Sequence, residues 1–164
     1  MEDARFEDGA IADRPLRLGA DSPEDLGVIS ALLQDSVGKA GEISWMPRRR
    51  RFAILLNRFR WEDKPAAELQ RRSYERVRAA LLIDSVLAVK TRGLDPRDKE
   101  MTYALLRIEF EPAEDGVGRL ILVLAGDGDI ALDVECVDVR LSDLTKPWES
   151  KAQAPDHGLD EAEA

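Results

Sequence analysis

Between Ile43 and Leu141 the chain places apolar side chains at every second position in one stretch after another. That period of two limits the fold more than any other feature, because a strand sends successive side chains to opposite faces and alternation marks a sheet. The clearest run is 102–111. There Thr102, Ala104, Leu106, Ile108 and Phe110 are expected to face inward and Arg107, Glu109 and Glu111 outward. The stretch "RLILVLAGDGDIALDVEC" reads as a hairpin, with Asp127-Gly128 suited to a type I′ turn. That turn sets Ala125 opposite Ile130, Val123 opposite Leu132 and Ile121 opposite Val134 on one face. The other face then pairs Leu122 with Asp133 and Leu120 with Glu135. After Cys136 the apolar phase slips to Val137, Val139 and Leu141, the mark of a bulge.

Upstream, Ile43 and Trp45 alternate with polar or small neighbours until Pro47 interrupts. Phe52, Ile54 and Leu56 then point one way and Ala53, Leu55, Phe59 and Trp61 the other, a strand covered on both faces. Residues 62–72 form a polar connection, and the good helix formers of "PAAELQRRSYERVRAALL" leave 66–76 open between helix and loop. From about Arg76 the residues Val77, Ala79, Leu81 and Ile83 alternate with Arg76, Arg78 and Asp84, and the strand bends near Asp84-Ser85 before continuing to Lys90. Trp148, after "DLTKP", is expected to fold back as a lid on the core.

One stretch has a helical period instead. In "DSPEDLGVISALLQDSVG", Ser22 can cap, Pro23 suits the first helical position and Asp25 stands three residues after the cap. Leu26, Ile29, Leu33 and Val37 follow at helical spacing with Leu32 beside them, and Gly38 supplies a stop. The whole reads as α+β: one N-terminal amphipathic helix packed on a meandering, mostly antiparallel sheet of about six strands, with curling into a partial barrel as a variant. Residues 16–149 form a single domain between a disordered arm, 1–15, and a disordered acidic tail, 150–164.

Composition narrows the function classes. Trp, Tyr and Phe make up only 5% of the 164 residues, too few rings for a single-strand stacking platform. The single cysteine, Cys136, allows no internal disulfide and continues an apolar row, which predicts an inert core thiol. The acidic N-terminus has no apolar segment of the signal-peptide kind, and no apolar run is long enough to span a bilayer. A cytoplasmic protein without membrane contact is expected. The net charge of −9 is uneven: residues 1–38 sum to −6, 39–60 to +6, 61–100 to +1 and 101–164 to −10.

Candidate chemistry is thin. His157, the one histidine, lies in the expected tail, so a Ser–His or Cys–His nucleophile has no base within the fold. No phosphate-binding glycine pattern occurs, since "AGDGDI" falls between strands. Carboxylates are the remaining acid–base candidates. Asp127 and Asp129 read as turn chemistry, Glu109 and Glu111 as a solvated face, and Asp133 and Glu135 as half-buried groups that call for arginine partners. No catalytic residue, cofactor or metal is assigned.

The remaining feature is "WMPRRRRFAILLNRFRW", with four consecutive arginines before the most apolar run. A solvated or protein-contacting hairpin end is favoured over a phosphate-binding patch, because Glu62, Asp63 and Glu68 intervene among the basic residues nearby and the chain as a whole is acidic. Arg48, Arg49, Arg50, Arg51, Arg58 and Arg60 form the candidate interaction surface. The leading expectation is a non-enzymatic protein-interaction or adaptor domain with an unknown protein partner, homo-oligomerisation being a further option. A nucleic-acid-associated protein using Arg48 to Arg51 is the alternative, and a small enzyme using carboxylates alone comes third.

The segments "DLGVISALLQDSV", "WMPRRRRFAILLNRF", "VLAVKTRGLD" and "IALDVECVDVRLSDL", in this order, resemble a family of small alphaproteobacterial proteins catalogued only as a domain of unknown function. The resemblance implies a stand-alone single-domain protein of the bacterial cytoplasm. It implies no activity, cofactor, partner or catalytic residue, and the two tails fall outside it.

Overall fold

The computed structural model describes residues 14–95 and 97–149. It contains eleven strands: β1 Arg17–Ala20, β2 Ser36–Lys39, β3 Ile43–Met46, β4 Arg51–Phe59, β5 Glu75–Ile83, β6 Val86–Arg92, β7 Thr102–Pro112, β8 Gly118–Leu124, β9 Asp129–Val134, β10 Val139–Asp143 and β11 Trp148–Glu149. Two short helices accompany them, α1 Pro23–Leu33 and α2 Lys64–Leu69. The strand order is β1-β10-β5-β4-β2-β7-β8-β9-β6, with β3 on β4 and β11 on β5. Every pairing is antiparallel.

This overturns the expectation of one helix over about six strands. Strands of two to four residues display little alternation, so β1, β2 and β11 left little trace in the sequence, and β3 showed only in Ile43 and Trp45. The sheet also does not close, since β1 and β6 remain its two ends.

Inward rows explain the core. Phe52, Ile54 and Leu56 of β4, Ala79, Leu81 and Ile83 of β5, and Val139 and Leu141 of β10 belong to the same buried cluster as Leu120, Leu122 and Leu124 of β8 and Ile130, Leu132 and Val134 of β9. The two halves of the sheet thus fold over one core, and β2 joins them. Its link to β4 is the single register pair Val37–Asn57, while it pairs with β7 along its whole length.

The N-terminal helix starts as expected. Ser22 Oγ accepts a hydrogen bond from Asp25 N at 3.3 Å, Pro23 opens the helix, and Leu26, Ile29 and Leu33 are buried. Its end is earlier than expected. Asp35 takes a positive φ of 64°, and Val37 lies in β2, exposed. Past Leu105, where β2 no longer covers β7, Ile108 N donates instead to Ser30 Oγ of α1 at 2.8 Å. The helix therefore serves as an edge cover as well as a core element.

Two registers differ from the sequence expectation. In β7, Leu105 faces Leu124 but Arg107 faces Val123, so Leu106 is the extra residue of a bulge. The phase inverts there: Tyr103, Leu105 and Ile108 are buried, and Leu106 is half-buried. In the β8–β9 hairpin the turn centres on Gly126 and Asp127, with φ of 83° and 67°. That places Leu122 opposite Ile130 and Leu120 opposite Leu132, so the even-numbered row is the buried one. Residues 135–138 then form a corner into β10, on which Cys136 is exposed, not a core thiol. Trp148 pairs with Arg76 at 40% exposure instead of covering the core.

Candidate functional site

The arginine stretch is a hairpin end. Pro47 opens the 3-10 turn Pro47–Arg49, and Arg50 closes it in the left-handed conformation. Arg48 and Arg49 are exposed and have no ion-pair partner among the described residues. Their two neighbours are engaged within the fold. Arg50 pairs with Glu135, and Arg51 Nε meets Asp84 Oδ1 at 2.8 Å while Arg140 holds the other Asp84 oxygen at 3.1 Å.

Arg58 and Arg60 lie elsewhere. Seven residues along β4 from Arg51, roughly 23 Å at strand rise, the Arg58 side chain is fully buried. It continues the inward row of Phe52, Ile54 and Leu56. It makes two-pronged pairs with Asp143, at 2.9 Å twice, and with Glu62, at 2.9 and 2.7 Å. Burial alone would lower its pKa, but Glu62 and Asp143 outweigh burial and raise it, so the guanidinium stays charged. Arg60 is 6% exposed and pairs with Glu75, and Arg72 makes a two-pronged pair with Asp63 at 2.7 and 2.6 Å. Arg72 holds the Asp63 carboxyl below its usual range against burial, whereas burial and the adjacent Asp63 push Glu75 up. Three arginines meet four carboxylates in this cluster, Arg58, Arg60 and Arg72 with Glu62, Asp63, Glu75 and Asp143. As surface contacts, Arg58 and Arg60 are thereby excluded. The density of alternating charge in "RFRWED" was the only signal in the sequence for it.

Four of the six carboxylate candidates are likewise occupied, Glu135 by Arg50 as above. Asp129 pairs with Arg92, Asp133 with Arg119 and Glu109 with Arg107, at 2.6, 2.9 and 2.6 Å. Among the described residues, no group of three or more acidic, histidine or cysteine side chains could hold a metal ion. His157 lies outside the described residues.

What the sequence did not announce is a gap between β3 and β6. β3 pairs on one side with β4, and β6 on one side with β9. Neither strand has a further strand partner among the described residues, and Val86 N at the start of β6 donates to Arg50 O, on the turn after β3, at 2.8 Å. Residues of both strands line a groove of about 300 Å³. Ile43, Trp45, Phe52, Val89, Thr91 and Leu94 line it, and none of these side chains is charged. Trp45 is half-buried there, three residues before Arg48. Sequence reasoning missed this site because nothing local to β3 says that β6, some forty residues later, lies beside it.

Residues 16–157 match the model of a family described as Protein of unknown function (DUF2948). The chain belongs to that family. In this DUF2948 protein the matched region covers all eleven strands and continues into residues 150–157, so part of the stretch read as a tail is within the family's common region. No curated protein and no solved structure matches the chain. No described helix is long and apolar enough to cross a membrane.

Proposed function

We propose that this DUF2948 protein is a non-enzymatic protein-interaction domain whose contact site is the β3–β6 gap. One observation supports the reading: two unpaired strand edges flank an uncharged, apolar groove. Unpaired edges offer rows of backbone donors and acceptors, and an apolar floor beside them provides side-chain anchorage. Nucleic-acid binding has less behind it, because of the six arginines first considered only Arg48 and Arg49 remain exposed and unpaired. The arginine-paired carboxylates likewise offer little to an enzyme. The reading includes a location in a bacterial cytoplasm, to which a single cysteine is well suited.

The test is site-specific photo-crosslinking in cells. A photoreactive residue at Thr91, in the gap, is compared with one at Glu24, exposed on α1. A discrete protein adduct from position 91, absent from position 24 and lost on Trp45→Ala, is expected. Equal adducts from both positions, or adducts to nucleic acid alone, contradict the proposal.

A further inference from the structure

The gap's chemistry specifies its occupant more narrowly. Resting on the reading of the gap as a protein contact site, we infer that it takes an extended segment of a partner protein in which apolar and acidic residues alternate, with acidic side chains held by Arg48 and Arg49.

Three features converge on that class. The unpaired edges of β3 and β6 call for a partner with a free backbone ladder, which an extended segment has and a helix lacks. The groove of about 300 Å³ sits at the small end of ligand pockets, so it accepts single side-chain anchors spaced two residues apart. Its walls, Ile43, Trp45, Phe52 and Val89 among them, demand that those anchors be apolar.

Charge supplies the third feature. Arg48 and Arg49 stand at the turn that closes the gap, beside the Arg50–Val86 link, and no carboxylate of the described chain neutralises them. Elsewhere many exposed arginines are paired, as Arg92 with Asp129, Arg107 with Glu109 and Arg119 with Asp133, whereas Arg17 and Arg71 are exposed with no ion-pair partner among the described residues. In a chain of net charge −9, two adjacent exposed guanidinium groups on the turn that follows the groove residue Trp45 form a local positive site. Carboxylates alternating with the apolar anchors would reach them from the solvent face of the added strand.

Fluorescence anisotropy with blocked peptides of about ten residues tests this on the full chain. One peptide alternates valine with glutamate, a second valine with serine, a third valine with lysine, and a single-stranded oligonucleotide of similar length is the fourth probe. At low salt the valine–glutamate peptide is expected to bind about tenfold tighter than valine–serine, and the advantage should shrink as salt is raised. Arg48→Ser with Arg49→Ser should bring the two peptides to within about twofold and leave valine–serine binding unchanged. Thr91→Glu, at an exposed position lining the gap, should weaken the acidic peptide most. Equal binding of the glutamate and serine peptides, indifferent to the double variant, overturns the inference and leaves the contact site standing. Absence of binding by every peptide overturns both, as does an oligonucleotide that outcompetes them.

Discussion

The guanidinium of Arg58 and the carboxylate of Asp143, 85 positions apart in the chain, meet inside the fold as a two-pronged ion pair with both N–O distances at 2.9 Å. The same carboxylate accepts Leu16 N at 3.0 Å, and so fastens the start of β1. A buried charge that loses its partner costs far more than the pair contributes. Asp143→Ala is therefore expected to destabilise the protein by about 3–5 kcal/mol in urea unfolding. Replacing both partners by apolar residues, Arg58→Met with Asp143→Leu, should cost less than Asp143→Ala alone. A single variant that melted like wild type would contradict the burial of the pair.

The bulge in β7 separates two neighbouring leucines. Leu105 is fully buried, whereas Leu106 is the extra, half-buried residue on the outer side. Leu105→Ala should cost about 2–5 kcal/mol, as for other buried leucines. Leu106→Ala should cost under about 1.5 kcal/mol. Equilibrium unfolding of both variants checks the order, which a regular strand without the bulge would reverse.

Asp84 gives the fold an acid-sensitive contact. Burial works to raise its pKa, but Arg51 and then Arg140 outweigh burial and hold the carboxyl below its usual range. A carboxyl depressed in this way stabilises the folded state above its unfolded value of about 3.9. That contribution disappears as pH falls through the folded value. Asp84→Asn should therefore cost about 1–2 kcal/mol near neutrality. The difference from wild type should narrow below about pH 4. Thermal melts across pH would contradict this if the difference widened in acid.

Gly118 has little room for a side chain. A Cβ there would lie 2.6 Å from the Glu111 carbonyl oxygen and 2.5 Å from the Phe110 ring. The ring can turn, but the carbonyl belongs to the β7–β8 ladder and cannot. Gly118→Ala is expected to cost about 1–3 kcal/mol, whereas Gly27→Ala, inside α1 with no atom within 4 Å of the added Cβ, should stabilise by about 0.5–1 kcal/mol. Melting temperatures of the pair decide the matter.

Local chemistry was the legible part of the sequence. Ser22, Pro23 and Asp25 start α1 where cap chemistry put it, and Pro47 and Asp84-Ser85 turn the chain as their residues required. Phase was less secure. Val37 falls at helical spacing from Leu33 yet belongs to β2, because the left-handed Asp35 intervenes and no sequence rule forbids the coincidence. In β7 and β8 both rows contain aliphatic residues, so one inserted residue or one shifted turn exchanged inside for outside without spoiling the apparent alternation. Cys136 was misplaced for the same reason: a corner was read as a continuing row. Arg58 shows the opposite failure, since an arginine in an inward row is recognisable only when Glu62 and the distant Asp143 are seen beside it. The candidate site was half legible, in the exposed Arg48 and Arg49. Its apolar half needed the long-range placement of β6 against β3.

The pairing of β1 with β10 sets a schedule for biosynthesis. Among the described residues β1 has no other strand partner, and its register mate Val139 for Ala20 is made almost 120 residues later. At translation rates of about 5–20 residues per second, the first strand waits roughly 6–24 seconds on the ribosome before its mate exists. During that wait Leu16 and Leu18, which pack on the finished core, are open to a chaperone or a protease at the tunnel exit. The hairpin of β4 and β5 and the meander of β7, β8 and β9 can form while synthesis continues, but the first strand docks only after the tenth has emerged.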